Sequence, residues 1–131
     1  MNRPSAAYLS GDRLHLQHGP IDLIIGVDCA REVAFAAARE RFETILTELV
    51  EELPLLRSPV KTSPCGTVAK RMYAAAQPHA QAVFVTPMAA VAGAVADEVL
   101  SAMVRFLREN GFDMPPRRLY TDADFEDDSE F

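Results

Sequence analysis

Hydrophobic and polar residues alternate near the start of the chain and predict a pair of β-strands. Two leucines are separated by polar residues across Arg13–His18, which is the period-two pattern of a half-buried strand. A more continuously apolar strand is predicted at residues 21–27, directly after the turn-forming pair Gly19-Pro20. Together these segments predict an antiparallel hairpin.

The hydrophobic pattern changes to a helical period at Ala30. Apolar residues recur at spacings of three and four as far as Pro54, and charged residues occupy the opposite side. This predicts one long amphipathic helix of about six turns. Pro54 is expected to stop it, because proline cannot continue a helix interior. A loop over residues 55–64 and a shorter helix over residues 66–77 are predicted to follow.

The second half of the chain is predicted to hold a short buried strand at residues 82–85 and a second long helix over residues 88–109. Asn110-Gly111 is a typical pair at the carboxyl end of a helix. Residues 117–120 are a candidate for a further strand. This order of elements predicts an α/β (α+β) fold with helices packed on a small sheet. Because the late strand has no partner after it, we expect an open sheet edge.

The negative charge of the protein is concentrated at its carboxyl end. The chain has 131 residues, enough for one compact domain, and a net charge of −6. Six acidic residues and no basic residue lie in residues 122–131, and the remaining acids equal the 13 lysines and arginines in number. The neutral body has no basic stripe for nucleic acid. Residues 121–131 are predicted to be an acidic disordered tail.

The sequence shows no signal for export or membrane insertion. The first residues lack the apolar region of a secretory signal, and no run approaches the roughly 18 uncharged apolar residues of a membrane span. We therefore expect a cytoplasmic protein with no membrane contact. In that compartment Cys29 and Cys65 are expected to be free buried thiols rather than a disulfide, and their spacing argues against zinc.

Residues 86–100, with the sequence TPMAAVAGAVADEVL, form the most informative segment. Thr86 is a candidate N-cap, and the proline after it suits the first turn of a helix. Gly93 costs about 1 kcal/mol relative to alanine inside a helix, so close packing or a bound molecule should compensate. Asp97, one turn later, is either a cap for a neighbouring segment or a ligand contact. One helix face is expected to carry the small residues Ala89, Ala92, Gly93 and Ala96.

This segment resembles the signature of uncharacterised protein family number 0280, within the ApbE-like superfamily (thiamine biosynthesis ApbE and the flavin transferases). Three further pieces agree in order: RLHLQHGPIDLIIGVD at 13–28, ARERFETILTELVEELPLLRSPV at 38–60 and GTVAKRM at 66–72. The resemblance covers residues 12–106. It implies an ApbE-like fold and a flavin ligand, FAD or FMN.

The resemblance also implies a set of cofactor-binding residues. In the flavin transferases the equivalent helix lines the nucleotide pocket with a glycine and a following aspartate, which correspond to Gly93 and Asp97. Thr86 and Met88 lie at the entrance of that helix. The transferases place a lysine just before the glycine, where this chain has Ala92. Transfer of FMN to a protein threonine is therefore not implied, and no catalytic residue is assigned.

Members of the superfamily continue with an Asn-Gly-Gly-Asp turn and a second half that supplies the metal site. This chain diverges at residues 118–122. Residues 1–120 therefore resemble the amino-terminal portion of an ApbE-like domain, truncated before the metal-binding half, and magnesium is expected only if that half is supplied. No metal ligand is assigned within this chain.

Two functions follow from the resemblance. The first is a flavin-associated protein that supplies one half of a pocket and binds negligible flavin alone. The second is a non-catalytic remnant or assembly partner, which packs through its exposed sheet edge on a complementary half or as a homo-oligomer.

Other polar residues carry weaker signals. His15 and His18 are three apart, which places them on opposite faces of a strand and argues against a metal pair. Cys65 follows Ser63-Pro64 as in a nucleophile turn, but the sequence positions no base beside it. Asp22 and Asp28 could pair as acids, although a surface role is favoured. Surface or loop positions are expected for Asp22, Asp28, Lys70, Arg71 and His79.

Overall fold

A three-stranded antiparallel sheet and a layer of helices form the fold in the computed structural model, which describes residues 3–113. The strands are β1 (Ser5–Leu9), β2 (Arg13–His18) and β3 (Ile21–Ile25), in the order β1-β2-β3. The predicted small α+β fold is confirmed. The predicted hairpin is confirmed as well, since β2 and β3 pair around the turn at Gly19-Pro20. β1 was not predicted.

The two faces of β2 differ in burial as the alternation predicts. Leu14, Leu16 and His18 are buried against the helices, while His15 lies on the outer face and pairs with Asp22 of β3. The prediction that the two histidines occupy opposite faces is confirmed. His18 is nevertheless a core residue, only 4% exposed.

Five α-helices follow the sheet in the described part of the chain. The predicted single helix ending at Pro54 is wrong, because a turn at residues 43–44 interrupts it and Glu52 then leaves helical geometry. Breaking the helix lets Ile45 and Leu49 stay against the core as the chain turns, and this packing overrides local helix propensity. Pro54 lies in the first turn of a helix, where its missing N–H is tolerated. The helices are α1 (Arg31–Phe42), α2 (Ile45–Glu51), α3 (Leu53–Leu56), α4 (Thr67–Ala76) and α5 (Val91–Glu109).

The predicted buried strand at residues 82–85 is also wrong. This segment is turn and irregular backbone, and Val83 and Phe84 are exposed, Phe84 at 83%. The N–H groups of Ala82 and Val83 both donate to the carbonyl of His79, at 3.2 and 3.1 Å, which curls the chain after the short 3-10 helix Gln77–His79. The curled backbone cannot extend into a sheet ladder.

The predicted end of the long helix is confirmed. Asn110 is the C-cap of α5, and Gly111 adopts a left-handed conformation with φ of 87°. The Phe112 N–H donates to the Leu107 carbonyl at 2.9 Å, and the Gly111 N–H donates to the Arg108 carbonyl at 3.1 Å. These two hydrogen bonds form a Schellman motif, which satisfies carbonyls that the helix end would leave without partners.

α5 is the central helix of the core. It packs against α1 and α4, and it is entered through a 3-10 turn at Pro87–Ala90. The combined segment Pro87–Glu109 is long and apolar enough to cross a membrane, a test that a packed core helix also passes. Its buried stripe is Ala94, Val95, Glu98, Val99, Ala102, Met103 and Leu107. The predicted strand at 117–120 and the acidic tail lie outside the described residues.

Replacing Gly19 by alanine should destabilise the protein. Gly19 has φ of 57°, and a Cβ there would lie 3.2 Å from Leu46 Cδ2 of α2. The left-handed conformation alone costs about 1–2 kcal/mol for a residue with a side chain. Chemical denaturation of Gly19→Ala should show a loss of at least about 1 kcal/mol.

Gly26→Ala is the matched control for this change. Gly26 has an ordinary φ, and a Cβ added there would meet no atom of the described residues within 4 Å. Its replacement should change stability by less than about 0.5 kcal/mol. Equal effects of the two substitutions would contradict the assigned close approach of the turn to α2.

Candidate functional site

The first two predicted cofactor-binding residues lie where the chain enters α5. Thr86 is extended, with φ of −111° and ψ of 161°, and precedes the 3-10 turn. Thr86 occupies the N-cap position of this turn, as predicted, but its side chain makes no capping hydrogen bond. Its carbonyl accepts from the Ala89 N–H at 3.1 Å. Met88 is half-buried and packs against the hydrophobic core.

The predicted small-residue face points away from the core. A Cβ at Gly93 would meet no described atom within 4 Å, so close packing does not compensate for this glycine within residues 3–113. Asp97 is half-buried and lies one turn further along α5. Met88 thus turns toward the core, whereas Gly93 opens to solvent. The four small residues of this face are all exposed to solvent: Ala89, Ala92, Gly93 and Ala96.

An apolar groove of about 460 Å³ lies beside Met88, and we call it the Met88 groove. Its walls come from the β2–β3 turn, from α2 and α3, and from the entrance of α5. Among its apolar lining residues are Leu46, Leu49 and Val91. The sequence gives no signal for this groove, because its walls come from separate segments that only tertiary packing brings together.

A buried carboxylate connects three helices on another side of α5. Glu98 is 3% exposed, and its Oε2 lies 3.7 Å from Arg41 Nη2 of α1 and 3.7 Å from Arg71 Nε of α4. Arg71 also donates from Nη2 to Ser101 Oγ at 3.2 Å. Arg71 is half-buried and contacts both Glu98 and Ser101. The prediction that it is a solvated surface residue is therefore wrong.

Arg41 also fixes the break between α1 and α2. Its guanidinium donates two hydrogen bonds to Glu48, at 2.8 and 3.1 Å, and Thr44 Oγ1 donates to the same carboxylate at 2.7 Å. The hydrogen bond from Arg41 holds the pKa of Glu48 below its ordinary value, and burial of the carboxylate opposes this effect. The same bond raises the pKa of Arg41. This is charge-assisted pairing with bidentate geometry.

The two cysteines are free, as predicted, but both are exposed, so their predicted burial is wrong. The Cys65 N–H donates to Glu52 Oε1 at 2.6 Å, and the Gly66 N–H donates to Glu52 Oε2 at 2.9 Å. Glu52 therefore binds the amino end of α4, where a carboxylate is favourable. Within the described part of the chain, no group of three His, Cys, Asp or Glu residues is placed to hold a metal ion.

Comparison with known proteins finds one family. The family described as AbpE bacteria matches residues 6–112, which is most of the chain and nearly all of its described part. No curated protein and no solved structure matches. The family description names no ligand or reaction, so the resemblance to the ApbE-like superfamily and the flavin site at Thr86, Met88, Gly93 and Asp97 stay predictions.

Replacing Glu48 by glutamine should weaken the dependence of stability on acid. The folded protein holds Glu48 deprotonated at pH values where the unfolded chain, with its ordinary pKa of 4.5, binds the proton. The stabilisation is therefore complete above pH 4.5 and is lost as the pH falls through the lower folded value. After allowance for solvent screening of this partly exposed pair, we expect about 1 kcal/mol.

Urea denaturation from pH 7 to pH 3 would measure this difference. Wild-type protein should lose more stability over that interval than Glu48→Gln, and the two should converge at the acid end. Glu51→Gln, an exposed position on the same helix, is the control and should follow wild type. Parallel curves for wild type and Glu48→Gln would contradict the assigned pairing.

Proposed function

The chain belongs to the AbpE bacteria family, and we propose that its function is assembly: it packs on a second copy of itself through the free edge of β1. The observation that carries this proposal is the unprotected state of that edge. Among the described residues, β1 pairs with β2 alone, and its other side has no strand beside it.

β1 lacks the features that usually keep an edge strand from pairing. Its sequence, SAAYL, contains no charge and no proline, and four of its five residues are exposed. Natural edge strands commonly carry lysine, proline or a bulge that prevents contact with another chain. β3, the opposite edge, carries the charged residue Asp22. Edge pairing is therefore favoured at β1.

Tyr8 indicates what a second copy would cover. Its ring lies 6.2 Å from that of Phe35 in a tilted arrangement, yet the residue is 68% exposed. An aromatic side chain that is mostly exposed gains free energy from further burial. Antiparallel pairing of β1 with its copy around a two-fold axis would extend both sheets into one and bring apolar surface over this ring.

Ala6→Lys should prevent this association. A lysine on an edge strand places a positive charge against its copy across the two-fold axis. Sedimentation velocity should show wild-type dimers that dissociate on dilution, and Ala6→Lys should remain monomeric at the same concentrations. Ala36→Lys is the matched control, because Ala36 is an exposed alanine on α1. A wild-type chain that stays monomeric at high concentration would refute the proposal.

A second proposal is that this chain supplies one wall of a flavin pocket that a complementary half completes, and the open space over Gly93 favours it. A flat ring system would find no described atom in its way on this face of α5. A single helix face supplies only one wall, however, and ligand sites normally enclose most of their ligand. We therefore expect the chain alone to bind negligible flavin.

Titration of FAD and FMN, followed by flavin fluorescence with and without magnesium, tests this expectation. No saturable quenching should appear in the micromolar range. Saturable micromolar binding that Gly93→Leu removes and Ala36→Leu retains would contradict the expectation and make flavin binding the leading function. Such a result would not bear on pairing at β1, which the sedimentation experiment tests separately.

A further inference from the structure

We propose that the Met88 groove binds a small amphipathic anion, a medium-chain carboxylate whose apolar chain lies in the groove and whose carboxylate pairs with Arg57. This inference is independent of the proposed assembly, because no residue of β1 lines the groove.

The size and lining of the groove suit a small molecule. Its volume of about 460 Å³ lies within the range of roughly 300–1,000 Å³ that is typical of ligand pockets. Apolar side chains of Ile21, Leu49 and Met88 face it from the sheet, α2 and the entrance of α5. Val50, at its margin, is 44% exposed, so the groove is open to solvent on that side. Burial of an alkyl chain there would be favourable, because it removes the methylene groups from water.

The charge at the groove selects the polar end of the ligand. Among the described residues that line it, Arg57 alone is charged, and it is exposed at the end of α3. Across residues 3–113, no ion pair or hydrogen bond engages its guanidinium. Other arginines of the chain, such as Arg41 and Arg71, are paired. An unengaged guanidinium beside an apolar groove is complementary to a carboxylate attached to an apolar chain.

The same charge disfavours a second copy as the occupant. A symmetric contact between two Met88 grooves would bring two Arg57 side chains together, and like charges repel at an interface. His18, buried in the wall, adds a polar ring at the turn, and none of the described lining residues is an acid that would offset the two arginines. A small amphipathic anion is complementary both to the apolar walls and to the positive charge of Arg57.

Isothermal titration of the full chain with octanoate, 1-octanol and octylammonium tests this proposal. These probes share an alkyl chain and differ in charge. Octanoate should bind at one site per chain and more tightly than octanol, octylammonium should bind most weakly, and added salt should weaken octanoate alone. Ala6→Lys should bind octanoate as wild type does, which separates this result from the outcome of the assembly proposal.

Two variants with one control locate the site. Arg57→Gln should weaken octanoate about five-fold and leave octanol unchanged. Val50→Trp should obstruct the groove and weaken both ligands, with its melting temperature confirming that it folds. Arg39→Gln removes an exposed arginine outside the groove and should bind as wild type does. The proposal is overturned if octanoate shows no saturable binding, if octylammonium binds equally well, or if Arg57→Gln leaves octanoate binding unchanged.

Discussion

The burial of Glu98 between Arg41 and Arg71 is the constraint on which the helical layer depends. A carboxylate that is 3% exposed has lost nearly all of its hydration, which costs several kcal/mol unless opposite charges compensate. The two arginines come from α1 and α4, on either side of α5. Compensation therefore requires all three helices in their observed places. Displacing α1 or α4 would take one arginine away from the buried carboxylate, and displacing α5 would take the carboxylate away from both.

This constraint also explains why the small-residue face of α5 is open. Residues in an α-helix are about 100° apart, so Gly93 and Glu98 are separated by about 140° around the axis. Turning Glu98 into the core thus turns Gly93 toward solvent. The same rotation places Val95, Val99 and Met103 in the core. Gly93 is consequently exposed because of how the whole helix is rotated. No close neighbour within the described chain offsets its low helix propensity.

Features encoded by neighbouring residues could be predicted from the sequence, and features encoded by distant ones could not. The β2–β3 hairpin follows from alternation and a Gly-Pro turn, and the end of α5 follows from Asn110-Gly111. At the break after Phe42, Arg41 pairs with both Glu48 and Glu98, and no local sequence pattern predicts contacts between separate helices. β1 was missed because its short, small-residue sequence has no alternation. The strand predicted at residues 82–85 was wrong because its apolar residues are not enough: a strand also needs a neighbouring strand to pair with, and the local sequence does not show whether one is present.

The candidate surfaces are separated by the sheet itself. β1 and β3 lie on opposite sides of β2, about 10 Å apart at the usual strand spacing. The edge proposed for pairing is that of β1, whereas the Met88 groove takes its sheet residues from the turn between β2 and β3 and from its two ends. Gly19 brings that turn within contact of Leu46, and Leu46 is itself a groove residue. The left-handed glycine therefore lies at the groove and away from β1, so the proposed pairing at β1 and the proposed ligand binding in the groove are compatible within one molecule.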